Sequence, residues 1–437
     1  MAEFPTHWRV MPLESAMAAI IDYRGKSPNK TSSGIPLVTA KVVRGGRIFK
    51  PDEFIAPEDY QAWMRRGLPH CGDVVMTTEA PLGNVGQLDG TKVALAQRLI
   101  TLRGQPDLLD NTFLKFAMQC QYVQEQLFAR ATGTTVVGIK QRELRQVHLP
   151  IPPLREQQAI VDILGSLDDK IELNRRTNQT LEQMARALFK SWFIDFDPIR
   201  YNQQRQAKAQ PSQGDDLHAR FAHLFPASFQ DSPLGPIPEG WEVATLGDIA
   251  DNPRRSVKTQ DIDPNSPYIG LEHMPRRSIV LDAWDSAESI TSNKYRFGTT
   301  DILFGKLRPY FHKVGVPAVE GICSTDILVI APQDPAWFGF VLEHVSSDDF
   351  VAYANAASTG TKMPRTNWDY MSRYQVAFPP RELAEAFNDF VQPLVQRIHA
   401  NIHESQTSGA TRDALLPKLL SGELRASEAE QFAEEIA

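Results

Sequence analysis

The chain contains one module twice, and this duplication limits the possible folds more than any other feature of the sequence. The triplet Thr-Gly-Thr stands at 132–134 and again at 359–361, an offset of 227 residues. Each triplet precedes a segment that ends in Pro-Pro, "VHLPIPP" in the first half and "YQVAFPP" in the second. The offset persists downstream, and upstream the match continues with small slips that pair Asp73 with Asp301. The period is too long for a solenoid, so the 437 residues divide into two related halves.

Both halves show the same order of predicted elements. A β-rich segment of about 145 residues comes first, with short β-branched runs such as "DVVMTT" and "STDILVIAP" that Gly and Pro separate. A long helical segment follows, announced by the Pro-Pro pair and by polar helix formers. The sequence therefore predicts a mixed α and β protein in which β-rich domains alternate with long helices.

The two helical segments share a heptad stripe with a polar middle. One position of the repeat is occupied by Ile160, Leu167, Asn174, Leu181 and Leu188 in the first segment and by Leu394, Asn401 and Leu415 in the second. This seam predicts that the two helices pair with each other, and a polar seam residue fixes register at a cost in stability. A helix that packs only on its own domain is the alternative. We expect Pro393, and Gly165 in the first copy, to bend or break the helices.

The net charge of −7 is unevenly distributed along the chain. Residues 1–150 carry a net charge of +4, residues 151–235 carry −1, and residues 236–380 and 381–437 carry −5 each. A local basic face is compatible with these values, but a DNA binder that depends on charge alone is not expected. The three cysteines are scattered singly, which argues against a disulfide framework and a zinc site.

No motif in the chain indicates a reaction. The stretch "FDPIRY" at 196–201 superficially resembles the Asp-Pro-Pro-Tyr loop of amino-methyltransferases, but Ile199 and Arg200 replace the second proline and the aromatic residue. Phosphate-loop, HExxH and Gly-x-Ser-x-Gly motifs are missing. His399 and His403 have helical spacing, but no further residue completes a metal-binding set. The sequence favours a binding protein over an enzyme, with no metal and no cofactor of its own.

Cations on loops rich in Gly, Ser and Thr are the candidates for contact with phosphates and base edges. In the first half the candidates are Arg24, Lys26, Lys30, Lys41, Arg44, Arg47, Thr132, Gly133, Thr134 and Lys140. In the second half they are Arg254, Arg255, Lys258, Arg276, Arg277, Lys306, Arg308, Tyr310, Thr359, Gly360, Thr361, Lys362 and Arg365. For each cluster alone a charged surface loop is the default interpretation, but recurrence at corresponding places in both halves favours binding. We expect the divergent residues 136–140 and 362–366 to carry the differences in what the halves recognise.

Several stretches resemble a known family. "LPIPPLREQQAIVDILGSLDDKIELNRRTNQTLEQMARALFKSWFIDF" resembles the central region of specificity subunits of type I restriction-modification systems, and "RDALLPKLLSGEL" resembles their C-terminal region. "PEGWEVATLGDIA" and "GKLRPYFHKVGVPAVEGICSTDILVI" resemble their second target-recognition domain. The resemblance covers nearly the whole chain in the expected order.

The resemblance implies an α+β fold with an internal pseudo-twofold duplication. Two β-rich mixed target-recognition domains would be joined by two long helices that pair as an antiparallel coiled coil. The expected boundaries are 1–153 for the first recognition domain, 154–200 for the central spacer helix region, 201–235 for a linker, 236–380 for the second recognition domain, 381–425 for the C-terminal spacer helix and 426–437 for an acidic tail.

The function implied is that of a non-catalytic DNA-specificity subunit in bacterial defence, cytoplasmic and without membrane contact. Each recognition domain would read half of a split sequence in double-stranded DNA. Two methylation subunits would dock around the helices and bring S-adenosylmethionine, and restriction/translocation subunits would join them. The alternative is a detached two-domain relative that acts as an inhibitor or decoy of methylation subunits. An enzyme with an unrecognised site is a third possibility.

Overall fold

The computed structural model describes residues 4–23, 25, 27–208, 220–356, 358, 363–429 and 432. The chain forms two compact units: unit 1 comprises residues 1–171 and 406–437, and unit 2 comprises residues 172–405. The unit boundaries fall inside two long helices, so each of these helices contributes one part to unit 1 and another part to unit 2.

Unit 1 is built on a four-stranded antiparallel sheet. Its strands are β1 (Arg9–Pro12), β2 (Met17–Asp22), β3 (Ile35–Val38), β4 (Val43–Arg44), β5 (Arg47–Ile48), β6 (Phe54–Ile55), β7 (Val74–Thr78), β8 (Leu82–Gln87), β9 (Ala94–Leu95), β10 (Leu99–Gly104) and β11 (His148–Ile151). Its short helices are α1 (Leu13–Ala16), α2 (Tyr60–Trp63), α3 (Asn111–Ala117), α4 (Gln121–Ala129) and α5 (Gln141–Arg145). The main sheet has the order β2-β10-β7-β8, and smaller sheets have the orders β6-β3-β9, β1-β11 and β4-β5.

The first long helix, α6 (Leu154–Phe189), begins in unit 1 and ends in unit 2. The strands of unit 2 are β12 (Phe229–Gln230), β13 (Ile237–Pro238), β14 (Glu242–Thr245), β15 (Ala250–Asp251), β16 (Ser256–Val257), β17 (Pro267–Ile269), β18 (Val280–Leu281), β19 (Asp285–Ser286), β20 (Lys294–Phe297), β21 (Ile302–Gly305), β22 (Val314–Pro317), β23 (Gly321–Cys323), β24 (Ile327–Pro332) and β25 (Gln375–Phe378). Its other helices are α7 (Asp197–Lys208), α8 (Phe338–Val345), α9 (Asp348–Ala356) and α10 (Trp368–Met371). The second long helix, α11 (Arg381–Ser421), ends in unit 1.

The two units repeat one sheet. The order β15-β24-β21-β22 in unit 2, which β18 extends, matches β2-β10-β7-β8 in unit 1. The hydrogen bond from Leu13 N to Val147 O (2.7 Å) recurs as the bond from Leu246 N to Tyr374 O (2.9 Å). The predicted fold class, two β-rich domains joined by two long helices and derived by duplication, is confirmed.

The central strand of each sheet separates two cores. In β7, Val74 and Met76 belong to one core cluster, and Val75 belongs to another. In β21, Phe304 likewise belongs to one core cluster and Leu303 belongs to another. A strand covered on both faces favours apolar residues at successive positions, which explains why Val74–Met76 and Ile302–Phe304 are continuous hydrophobic runs instead of alternating patterns.

In unit 2 the two long helices are joined by a buried network of asparagines. Asn174 Nδ2 donates to Asn401 O (3.3 Å) and to Glu404 Oε2 (2.9 Å), while Asn401 Nδ2 donates to Asn178 Oδ1 (2.7 Å). Asn174 and Asn401 are only 3% and 1% exposed to solvent. The prediction that the helices pair is therefore confirmed, and the packing of each helix on its own domain alone is excluded.

The apolar seam residues lie in the cores of their own units. Ile160, Leu188 and Leu415 are buried, and Leu167, Leu181 and Leu394 are partly buried against the same clusters. The helices are antiparallel within each unit. In unit 1, Arg412 Nη1 lies 2.8 Å from Asp168 Oδ1, and a Cβ added at Gly409 would lie 4.0 Å from Ile171 Cδ1.

The expected break at Pro393 is wrong, because α11 continues from Arg381 to Ser421 as one α-helix. α6 likewise continues through Gly165. Pro393 and Asp389 are both exposed, so the Asp389 carbonyl that loses its helical partner lies on the water-facing side. Val391 and Val395, on the opposite face, are buried in the core and hold the helix together across the proline.

Candidate nucleic-acid interface

Two segments of unit 2 that contain predicted binding residues meet next to the sheet. The turn after β21 pairs with the segment that precedes α10. Thr366 N donates to Lys306 O (3.1 Å), and Arg308 N donates to Pro364 O (2.7 Å). Residues separated by about sixty positions in the sequence thus form one surface, directly after the second Thr-Gly-Thr triplet.

Left-handed backbone conformations concentrate at this surface. Arg277, Arg308 and His312 have φ values of 57°, 51° and 52°. Arg277 N donates to His312 O (2.8 Å), and His312 Nε2 lies 2.8 Å from Ser346 O, which it contacts as a donor. Non-glycine residues rarely adopt positive φ, and such strain persists where surrounding contacts fix the backbone, often at functional sites.

A group of cationic and aromatic side chains lies at this backbone, and we call it the Phe311 cluster: Arg276, Arg308, Tyr310 and Phe311. The Arg276 and Arg308 guanidinium carbons lie 4.1 and 6.0 Å from the Phe311 ring centroid. The Tyr310 and Phe311 rings are 4.8 Å apart. Tyr310 is 52% exposed and Met363 is 46% exposed. The cluster therefore presents guanidinium groups beside exposed apolar surface, a combination suited to phosphate and base contact.

Three of the predicted cations of unit 2 have an acidic partner. The pairs are Arg277–Asp348 (2.7 Å), Arg365–Asp326 (3.0 Å) and Arg255–Asp301 (2.5 Å). Within the part of the chain that the structure describes, Arg276 has no carboxylate within 4.0 Å. Arg254 and Lys258 are exposed, and Lys306 is half-buried. Arg276 is thus the best-placed donor for an incoming anion.

In unit 1 the Thr-Gly-Thr triplet forms the exposed tip of a closed turn. Thr132 and Gly138 exchange both backbone hydrogen bonds, at 2.8 and 3.0 Å. Gly133 has a φ of 113°, and a Cβ at this position would lie 2.1 Å from Val136 O, so the turn requires glycine. Thr132 and Thr134 are exposed, and their hydroxyls are accessible to a ligand.

The turn of unit 1 is attached to its sheet in the same way as the corresponding segment of unit 2. The corresponding pairs are the bridges Glu79–Gly138 and Leu307–Arg365, and the hydrogen bonds Ile139 N–Thr78 O (3.0 Å) and Thr366 N–Lys306 O (3.1 Å). Ala80 (φ 47°) shares the left-handed backbone of Arg308, and a proline follows each. The duplication therefore extends to the loops that carry the predicted binding residues.

Two of the predicted lysines of unit 1 are bound to the same acidic residue. Lys30 Nζ and Lys41 Nζ lie 2.8 and 2.9 Å from the two carboxylate oxygens of Glu53. These hydrogen bonds hold the pKa of Glu53 below its ordinary value. Arg44 lies 4.6 Å over the ring of Phe49 and is exposed. The β4–β5 hairpin thus offers Arg44, whereas the two lysines are partly neutralised.

Arg47 and Lys140 have different environments, since Arg47 is hydrogen-bonded to α6 and Lys140 is exposed. Arg47 Nη2 donates to Asp168 O on α6 (2.9 Å), so this side chain attaches the hairpin to the helix. Lys140 is exposed and immediately precedes α5. Six of the predicted residues lie outside the described residues: Arg24, Lys26, Thr359, Gly360, Thr361 and Lys362.

Tyr310 was among the predicted binding residues, but the other aromatic members of the interface, Phe49 and Phe311, were missed in the sequence. Phe49 and Phe311 each lie under a predicted arginine, and Met363 lies beside the predicted Arg365. Their positions next to cations on both loops were the available signal, but a lone aromatic residue in a loop is equally compatible with core packing.

The described residues contain no group of three His, Cys, Asp or Glu side chains able to hold a metal ion. His403 Nε2 instead lies 3.0 Å from Ala318 O. Among the helices in the described ranges, none has the length together with the apolar character needed to cross a bilayer.

Comparison with known proteins relates the chain to one family. A family model described as "Type I restriction modification DNA specificity domain" matches residues 24–183. The type I restriction enzyme MjaIX specificity subunit of Methanocaldococcus jannaschii is 25% identical over 379 residues, which cover 82% of this chain and 78% of that protein. The HindI specificity subunit of Haemophilus influenzae is 26% identical over 339 residues, with coverages of 68% and 74%.

A solved structure shares the fold. The type I restriction-modification S subunit from M. genitalium superposes with a TM-score of 0.54 at 16% identity, and the match covers 96% of this chain and 97% of that one. In its duplicated sheets, its paired helices and its relatives, the chain is similar to type I restriction-modification specificity subunits.

Proposed function

We propose that this chain is the DNA sequence-specificity subunit of a type I restriction-modification complex and that each recognition domain reads one half of a split target. The observation that carries the proposal is the repetition of one loop arrangement in both units. In each unit, a segment after the Thr-Gly-Thr triplet pairs with the turn that follows the central strand. Two equivalent loops with different side chains are what two different half-sites require.

The side chains of the two loops support different half-sites. Unit 2 presents arginines over Phe311 with Tyr310 and Met363 exposed. Unit 1 presents threonines with Val136 exposed to 50%. Guanidinium groups suit guanine edges, whereas methyl and hydroxyl groups suit thymine methyls and phosphates. We therefore infer that recognition domain 1 (residues 1–153) and recognition domain 2 (236–380) bind different sequences.

The chain would act as a non-catalytic part of a larger cytoplasmic complex. Two methylation subunits would dock around the spacer helices at 154–200 and 381–425 and would bring S-adenosylmethionine, and restriction/translocation subunits would join them. Because unit 2 lies in an acidic part of the chain, the methylation subunits would also supply phosphate contacts. The decoy alternative is not favoured, since the curated relatives are specificity subunits.

The test is to co-express the chain with the methylation subunits of its own system in a host free of DNA modification. Genome-wide detection of methylated bases should show one split target with an invariant spacer, and the methylation subunits without this chain should mark no such target. A complex that assembles but methylates no split sequence would contradict the proposal.

A further inference from the structure

A buried carboxylate of α6 contacts the loop 275–279, which carries Arg276 and Arg277. The Glu182 side chain is 8% exposed. Glu182 Oε2 accepts a hydrogen bond from Ser278 Oγ (2.9 Å), and Oε1 accepts one from Ile279 N (3.2 Å). Arg186, one turn further along α6, donates to the same Oε1 at 2.9 Å. One helix side chain thus binds two consecutive residues of the loop.

The loop is held from its other side by the sheet and by the turn beside it. Ile279 O accepts from Val316 N of β22 (2.9 Å), and Arg277 N donates to His312 O (2.8 Å). The backbone of Ile279 is therefore fixed in both directions, by α6 through its N–H and by β22 through its carbonyl. The hydrogen bonds to Glu182 attach the loop to a side chain of α6. A shift of the loop relative to α6 would therefore break these bonds first.

Burial of the Glu182 carboxylate costs free energy, and a residue with only a packing role would not need to bear this cost. Burial raises the pKa of its carboxyl, against the bonds from Ser278 and Ile279 and the nearby charge of Arg186. Its helix neighbour Ala185 lies in an apolar core. A buried carboxylate is tolerated only where its oxygens are satisfied, and that condition is met when the loop lies against the helix.

Unit 1 uses a different residue of α6 in a corresponding way. Asp168 accepts from Lys115 Nζ of α3 (2.7 Å) and from Arg412 Nη1 of α11 (2.8 Å). Its backbone carbonyl accepts from Arg47 of the β4–β5 hairpin (2.9 Å). In unit 1 the main-chain carbonyl of Asp168 thus joins the hairpin to α6, whereas in unit 2 the carboxylate of Glu182 binds the loop directly.

We propose that Glu182 is a positioning residue that fixes the recognition loop 275–279 on α6 and thereby makes the complex strict about the spacing of the split target. This inference rests on the proposed function and deepens it. Without the Glu182 contacts the loop would still carry Arg276, but it would reach its half-site over a wider range of positions. Recognition of the native target would persist, while discrimination against altered spacers would fall.

The experiment measures methylation by the assembled complex on targets with the native spacer and with spacers one base pair shorter or longer. Glu182→Ala should lower the preference for the native spacer about tenfold, the effect of losing about one charged hydrogen bond. Glu182→Gln retains an amide oxygen for Ile279 N and should restore much of the preference. Glu288→Ala, which removes a carboxylate from an exposed position of unit 2 outside both long helices, is the matched control and should behave as wild type.

The outcomes separate this inference from the proposed function. Unchanged spacer preference in Glu182→Ala, with methylation of the native target intact, would overturn the positioning role and leave the function standing. Absence of any split-site methylation by the wild type would instead overturn the function. If Glu182→Ala does not assemble, Ser278→Ala decides, because it removes one loop bond and leaves the carboxylate in place; wild-type spacer preference there would refute the inference.

Discussion

The guanidinium group of Arg276 lies over the Phe311 ring at 4.1 Å and projects from a loop with a fixed backbone. An exposed cation–π contact stabilises by about 0.5–1 kcal/mol, enough to orient the side chain but far less than a buried ion pair. The N–H donors at the guanidinium edge remain available, since the ring contacts only its face. Arg277, by contrast, is paired with Asp348 at 2.7 Å.

Arg276→Ala should weaken binding of the assembled complex to its target about tenfold or more, within the range of one base-specific or phosphate contact. Fluorescence anisotropy with target and scrambled duplexes measures the change. Arg397→Ala removes the same charge from an exposed position of α11 and is the control. Equal affinities of the two variants would argue against a DNA contact by Arg276.

Glu343 introduces a pH dependence into the folding of unit 2. Burial raises its pKa from 4.5 to about 8, with Arg186 lowering and Glu182 raising the value. The folded state therefore holds a proton that the unfolded state releases between these pH values, so the free energy of unfolding falls as pH rises through this window.

Glu343→Gln should remove this contribution and flatten the stability profile between about pH 5 and 8, with the largest gain at the alkaline end. Chemical denaturation at several pH values gives the difference from wild type. Glu320→Gln, at an exposed position, should leave the slope unchanged. A wild-type slope in Glu343→Gln would show that this carboxyl does not titrate as its burial implies.

At the scale of elements, the helix pair combines apolar packing with the asparagine network. A polar residue in a helix seam lowers stability but disfavours other registers, because a shifted helix would leave buried amides without partners. The bond from Asn401 Nδ2 to Asn178 Oδ1 (2.7 Å) is of this kind.

Asn401→Ala should lower the free energy of unfolding by about 1–3 kcal/mol, because it leaves the buried Asn178 oxygen without that donor. Replacement of Asn174, Asn178 and Asn401 together by Leu should recover most of this loss, since all three amides are then removed from the seam. Denaturant titration of the three proteins distinguishes the cases. A triple variant less stable than Asn401→Ala would contradict the interpretation.

The elements also show where tertiary packing overrides the local preferences of the sequence. The runs "DVVMTT" and "STDILVIAP" predicted strands, and they form β7 and β24, both inner strands of their sheets. Pro393 predicted a break that does not occur, because buried neighbours on the other face of α11 compensate for one lost hydrogen bond. Proline propensity is a local quantity, whereas helix continuity depends on the packing of the whole face.

At the scale of the whole molecule, the net charge of −7 opposes attraction to DNA. The chain alone should therefore bind random duplex weakly, and the assembled complex should bind its target much more tightly. The salt dependence should differ too, since the slope of log K against log salt counts the phosphates that are contacted. Titrations from 50 to 200 mM salt, with and without methylation subunits, test this; tight binding of random DNA by the chain alone would contradict it.

The candidate site was predictable in part. The repeat identified the two loops and several of their cations, because duplicated loops keep their sequence landmarks. It did not identify which cations are already neutralised: Lys30 and Lys41 share Glu53, a residue that lies on another strand-loop segment. It also missed Glu182, whose partners Ser278 and Ile279 lie 96 and 97 positions away.

The sequence by itself determined the duplication, the order of β-rich and helical segments, the helix seam and the resemblance to type I restriction-modification specificity subunits. These features depend on local spacing and on residue type, which are readable along the chain. Only the tertiary structure decided that Arg276 and Arg308 lie over one ring, that α11 continues through Pro393, and that Glu182 binds the loop 275–279. Each of these depends on contacts between distant segments, whose free energy has no local signature in the sequence.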